Sequence, residues 1–141
     1  GRRTPRTEVM FSEGGVYYVY LIYGMYHCLN VVSGEKDSGE AVLIRSVEII
    51  DGKDEASILR YGKDFSSLTI SQKKNLSNGP GKMCKALGID RSLNGTSCHS
   101  GEIIICDAPP VDDRCIKTSP RIGVDYAGSD ALLPYRFYVE E

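Results

Sequence analysis

The densest apolar stretch of the chain runs from Val16 to Val32, VYYVYLIYGMYHCLNVV, and the rest is punctuated by polar loops. Tyr17, Tyr18, Tyr20, Tyr23 and Tyr26 crowd this stretch and Gly24 interrupts it. The flanking residues are β-branched or aromatic, with too few helix formers for an amphipathic helix, which predicts two strands around a tight turn. Alternation sends Tyr18, Tyr20 and Ile22 to one face of the first strand, and Tyr17, Val19 and Leu21 to the other. Tyr23, Gly24 and Met25 fall at the tip, where polar residues are the rule. Such a tip is either buried under a neighbouring element or a wedge that enters something, with the tyrosines behind it as a stacking pocket.

Downstream, SGEKDSGE (33–40) reads as an exposed loop and AVLIRSVEII (41–50) as a largely buried strand. DGKDEASILRYG carries acids early and Arg60 late, so it predicts a short helix over 52–62. A second short helix is expected near Ser71–Leu76. A third begins at NGPGK, with Asn78 as cap and Pro80 in the first turn, and stops at Gly88. Residues 90–101 form a polar loop, EIIICDA (102–108) a strand, and PPVDDR a turn region. Residues 115–128 are strand-like with a break near Pro120, and LPYRFYV (133–139) closes as a strand. No βαβ rhythm or internal repeat appears. The expected class is α+β: a single domain over 1–141 with one curved, mostly antiparallel sheet, a protruding hairpin and a few short helices.

Composition changes this picture little. The 141 residues are 41% hydrophobic and 26% charged, as in an ordinary globular protein. No apolar run approaches the roughly 20 residues needed to cross a bilayer, so no membrane partner is expected. Net charge is −2, which weighs against a nucleic-acid binder. The charge is uneven, however: GRRTPR at the start holds three arginines and no acid, and Lys73, Lys74, Lys82 and Lys85 make a second basic zone. The five cysteines show no CxxC or zinc spacing, so free thiols, no disulfide framework and no metal site are expected.

Two positions suggest chemistry. Arg45 stands inside an apolar run, and burying an unpaired guanidinium is costly, so it needs either a carboxylate partner or a cavity to open onto. NGPGK offers free backbone N–H groups, two glycines and Lys82, a seat for a phosphate or a plain helix cap. It is not a Walker loop, since the upstream glycine is missing and Met83 stands where Ser or Thr belongs.

YVYLIYGMYHCLN, preceded by GRRTPR and followed by VLIRSVE, resembles the alkyladenine (3-methyladenine) DNA glycosylases, and NGPGKMCKALGI and RIGVDYAG…PYRFYV match later blocks in the same order. The resemblance covers most of the chain. It implies base-excision repair: a damaged purine, of the 3-methyladenine or hypoxanthine type, is swung out of double-stranded DNA from the minor groove and its N-glycosidic bond is cut by water. No metal or other cofactor is implied, nor a lysine nucleophile, so the activity is expected to be monofunctional. Tyr23 corresponds to the plug that fills the vacated stack, with Met25 beside it. Tyr20, Asn30 and Leu43 correspond to the base pocket, Asn30 crowding the exocyclic amino group of guanine. Arg45 and the backbone carbonyl of Ile122 correspond to holders of the attacking water, and Arg2, Thr4, Arg6, Gly81 and Lys82 to contacts with the DNA backbone.

The sequence departs from the pattern in one respect. The family's catalytic glutamate belongs to a block upstream of GRRTPR, and Glu8 and Glu13 are not placed to replace it. The domain is therefore expected to be N-terminally incomplete and the chain alone weak or inactive as an enzyme. Two other readings stand beside this one: a non-catalytic minor-groove module that senses damaged DNA, and a β-rich module for a small aromatic or sugar ligand. A monomer is expected, in the cytoplasm with the nucleoid or in the nucleus.

Overall fold

The computed structural model describes residues 3–139. Contacts divide the chain into two compact units, Gly1–Ile105 and Cys106–Glu141.

The first unit is built on a three-stranded antiparallel sheet in the order β1 (Tyr17–Ile22), β2 (Tyr26–Val32), β3 (Ala41–Leu43). The register pairs Tyr18 with Asn30, Tyr20 with Cys28 and Ile22 with Tyr26, and then Asn30 with Leu43. Opposed residues share a face, so Tyr18, Tyr20, Cys28, Asn30 and Leu43 line one side of the sheet. From the other side Tyr17, Val19 and Leu29 enter the main core, with Met83, Cys84, Ile89, Leu93 and Cys98. Three helices follow: α1 (Lys53–Tyr61), α2 (Ile70–Lys74) and α3 (Pro80–Leu87). Ala56 of α1, Leu76 and Ala86 of α3 form a smaller cluster. The α2 N-terminus is held by a reciprocal cap between Thr69 and Gln72.

The second unit pairs β4 (Ile116–Ser119) with β5 (Arg136–Val139), antiparallel, with a 3₁₀ segment over Asp125–Leu132 between them.

The class is α+β, as expected, with its strands in a three-stranded and a two-stranded sheet. Several boundaries differ from the sequence reading. Of 41–50 only Ala41–Leu43 pairs as a strand. Ile44 adds one hydrogen bond to the Leu29 carbonyl, and Ile44 and Val47 pack on the core outside any ladder, Val47 bonding Ser77 through both its N–H and its carbonyl. Past that point α3 packs against β2 in place of a strand: Cys84 and Leu29 share the main core and Gly81 lies against Tyr26. Residues 102–108 carry no strand, although Ile105 N–H donates to the Cys98 carbonyl. Residues 8–11 make a 3₁₀ turn. Gly79, and not Asn78, is the cap of α3.

Candidate DNA-facing site

The hairpin tip is a β-turn closed by Met25 N–H donating to the Ile22 carbonyl at 3.2 Å. Its central residues, Tyr23 and Gly24, both have positive φ, at 55° and 68°. That is the geometry of the primed turns that suit hairpin twist. Glycine adopts it freely, whereas a tyrosine there carries a backbone cost of about 1–2 kcal/mol. The cost is not recovered by packing, because Tyr23 is 85% exposed and Met25 66% exposed. A strained, exposed aromatic at a tip is a marker of function. It also answers the question left open by the sequence: no neighbouring element covers the tip within the first unit.

Behind the tip, Tyr20 is held on three sides. The Tyr18 ring lies 5.4 Å from it, centroid to centroid and tilted by 35°. The Arg6 guanidinium stands 5.8 Å above its centroid, and Cys28 is its partner across the β1–β2 ladder. Asn30, buried, donates from Nδ2 to the Tyr18 carbonyl at 3.3 Å. A primary amide has a second N–H and an acceptor oxygen, so this bond fixes the side chain without using all its capacity. Leu43 is opposite Asn30 across the β2–β3 ladder and half-buried. Tyr20, Asn30 and Leu43 are thus brought to one face by the register alone.

Arg45 is half-buried. Among the described residues the ion pairs are Arg3–Glu8, Arg3–Asp37 and Arg114–Asp112, so Arg45 has no carboxylate partner there. Its charge is felt at Cys28, where it favours the thiolate, although burial outweighs it and pushes that thiol up. Arg45 therefore sits within electrostatic reach of the Tyr20–Cys28 pair. Ile122 lies in the second unit, exposed, and is followed by Gly123 with φ of 74°.

The residues expected along a DNA backbone are variously engaged. Thr4 N–H donates to Thr7 Oγ1 at 2.8 Å, and Thr7 N–H returns to the Thr4 carbonyl, folding the arm into a turn. Arg6 donates to the Leu21 carbonyl at 2.7 Å. Lys82 Nζ donates to Asn75 Oδ1 at 3.1 Å and lies 3.4 Å from Asn78 Oδ1. Gly81 packs against the Tyr26 ring. Arg2 lies outside the described residues. Arg3 is committed to Glu8 and Asp37 at 2.6 and 2.7 Å, and its hydrogen bonds to Glu8 hold that carboxyl below the usual range.

Sequence reasoning did not find the groove of about 450 Å³ beside the tip, lined by Met25, Tyr26, His27, Lys85 and Asp90 among others. Its walls come from β2, α3 and the loop after α3, and no local pattern joins them. Among the described residues no cluster of His, Cys, Asp and Glu could hold a metal ion, and no helix is long and apolar enough to cross a membrane.

Comparison with known proteins gives the same identification along the entire chain. The family model described as methylpurine-DNA glycosylase (MPG) matches residues 1–141. A protein of Clostridium perfringens (strain SM101 / Type A), named "Putative 3-methyladenine DNA glycosylase", is 47% identical over 143 residues, covering 100% of this chain and 70% of its own length. One of Clostridium novyi (strain NT), under the same name, is 49% identical over 140 residues, covering 99% of this chain and 69% of its own. A Bacillus thuringiensis (strain Al Hakam) protein so named is 46% identical over 145 residues, 99% of this chain and 69% of its own. The chain belongs to the methylpurine-DNA glycosylase family.

Proposed function

We propose that this protein is a monofunctional DNA glycosylase of base-excision repair, which everts alkylated or deaminated purines of the 3-methyladenine and hypoxanthine type and hydrolyses their N-glycosidic bond. A base inside a duplex hides that bond, and turning the nucleotide out costs a few kcal/mol. A side chain that occupies the vacated step offsets part of the cost and slows return, as apolar wedges do from the minor groove. The observation that carries the reading is the tip itself: Tyr23, 85% exposed in a left-handed conformation, stands ahead of a face bearing Tyr20 and Asn30.

In this reading Tyr23 fills the gap and Met25 braces the neighbouring stack. The everted purine stacks on Tyr20, over Leu43, and a cationic alkylated ring gains from the tyrosine π face. Asn30 rejects guanine by crowding its amino group, and an excluded competitor matters here because normal purines outnumber damaged ones. Thr4, Arg6, Gly81 and Lys82 follow the DNA backbone, joined by Arg2. Arg6 can do so while bonded to Leu21, since a guanidinium has five donors.

The chemistry needs one water. A carboxylate takes one proton of the water, the water oxygen bonds to C1′ of the sugar, and the C1′–N bond breaks with its electron pair leaving on the base; a cationic 3-methyladenine departs as the neutral base, while hypoxanthine takes up one proton from solvent. Arg45 and the Ile122 carbonyl are the residues of this chain that would hold the water. The carboxylate base is not among residues 1–141 in this reading, so those residues assayed alone excise little. The protein acts as a monomer.

The test is single-turnover excision of hypoxanthine from a duplex by the product of the whole gene, beside its Tyr23→Ala variant. Excision that falls at least tenfold in the variant supports the reading, on the few-kcal/mol scale of base eversion. Binding of damaged duplex without any excision by the wild type would favour a damage-sensing module instead.

A further inference from the structure

Gly81 is the second residue of α3, in the first turn, where alanine also fits a helix. Its φ is not positive, so no backbone requirement selects glycine. What does is Tyr26. A Cβ built on Gly81 would stand 2.9 Å from Tyr26 Cδ1, 3.1 Å from its Cβ and 3.2 Å from its Cγ. These atoms are the root of the side chain. Cβ is fixed to the backbone, and Cγ and Cδ1 can move only if the side chain leaves its rotamer, so a methyl group there must displace the Tyr26 ring, β2 or α3.

Tyr26 follows Met25 directly and pairs with Ile22 at the base of the turn. It is the last ladder position before the tip, and 47% exposed, so one side of it rests on the helix while the rest meets solvent. β3 does not reach this far, as its pairing with β2 ends at Asn30 and Leu43. The contact of Tyr26 with Gly81 is therefore a lateral support of the hairpin end on its β2 side, between a strand and a helix whose Met83 and Cys84 are fixed in the main core.

We infer that Gly81 and Tyr26 are positioning residues: the bare helix backbone at Gly81 seats Tyr26 and thereby sets where Tyr23 and Met25 project. This rests on the wedge reading of the tip. A misplacement of about 1 Å at a reacting constellation costs on the order of a hundredfold, so even a partly absorbed shift of the tip is readable as lost lesion discrimination. Alanine keeps the N–H of residue 81, so any phosphate contact made by that group survives the substitution.

The experiment uses the product of the whole gene, two duplexes differing only in one hypoxanthine or adenine, and four proteins: wild type, Gly81→Ala, Tyr26→Ala and the double variant. Gly81→Ala should lower the preference for the hypoxanthine duplex over the adenine duplex about tenfold or more, the adenine duplex serving as the reference for any general loss of binding. In the Tyr26→Ala background, which removes Cδ1 and Cγ and leaves only the 3.1 Å contact to Cβ, the same substitution should lower that preference far less. If Gly81 only seats a phosphate or only shapes the helix, it will act alike in both backgrounds, and the inference is overturned. It is also overturned if Gly81→Ala discriminates as the wild type does. Should Gly81→Ala fail to fold, Tyr26→Leu takes its place: it removes the seated ring, and lesion preference must fall with adenine-duplex binding kept, or the inference fails. A wild type with no lesion preference, or one that Tyr23→Ala leaves intact, refutes the wedge reading itself and is thereby distinguished.

Discussion

The Arg6 guanidinium lies over the ring of Tyr20, 5.8 Å from its centroid, while donating at 2.7 Å to the carbonyl of Leu21, the next residue of the same strand. The N-terminal arm is thereby fastened to the wall of the proposed base pocket. Its charge and its shape are separable. Arg6→Lys keeps the charge but loses the planar fork. It should leave the salt dependence of duplex binding unchanged and lower hypoxanthine-duplex preference about two- to fivefold, the scale of an exposed cation–π contact. Arg6→Ala should do the same and also reduce the slope of log K against log salt by about one. Filter-binding titrations over a salt series read both quantities, and equal behaviour of the two variants in slope would remove Arg6 from the backbone path.

Tyr23 offers a test of strain against activity. Asparagine tolerates the left-handed region far better than tyrosine, and at 85% exposure the ring contributes little burial to folding. Tyr23→Asn should raise the unfolding free energy by about 0.5–1 kcal/mol, while excision of hypoxanthine is lost. Urea denaturation and single-turnover kinetics on the same preparation check the two halves. A variant that is both less stable and inactive would mean that the tip is held by packing the structure does not show.

Asn30 is bonded to the Tyr18 carbonyl and faces the same side as Tyr20. Asn30→Ala should cost about 1 kcal/mol of stability for that bond. More tellingly, the ratio of guanine to hypoxanthine excision should rise about tenfold or more, as a pocket that has lost a clash becomes permissive. Base release from matched duplexes, quantified by chromatography, gives the ratio. An unchanged ratio with the stability loss present would reduce Asn30 to a structural amide.

The Cys84 thiol is buried in the main core, and burial pushes it from the ordinary value of 9.0 up to about 11. The folded state therefore holds this proton more tightly than the unfolded chain does. The resulting stability is complete below pH 9 and is lost progressively as pH rises toward 11. Urea midpoints should fall across that window, and Cys84→Ala should flatten the fall. Cys28 and Tyr18, raised in the same direction by burial, contribute a residual slope. A midpoint that rises with pH there would contradict the buried thiol.

The hairpin was readable because its evidence is local. Period-two aromatic and β-branched residues around Gly24 name the strands, and alternation then assigns Tyr18 and Tyr20 to one face and Tyr17 and Val19 to the core. The same holds for α1 and α3, whose ends are marked by acids, Pro80 and Gly88. The run 41–50 misled because an apolar segment packed beside a core looks the same whether or not it joins a ladder. The 3₁₀ segment at 125–132 gave no periodicity to find, and its irregularity at Gly128 shows why. Within the site, the positions of Tyr20, Asn30 and Leu43 follow from strand register. The seat of Tyr26 on Gly81 joins distant parts of the chain, and no pattern within either part encodes it.

The two left-handed residues at the tip have one more consequence. Their conformation belongs to the turn, held by the bond from Met25 to Ile22 before any duplex arrives. If Tyr23 is the wedge, every stretch of DNA meets the same preset projection, sound or injured. Discrimination then begins with the nucleic acid, in how readily each base pair yields to a probe that does not adapt to it.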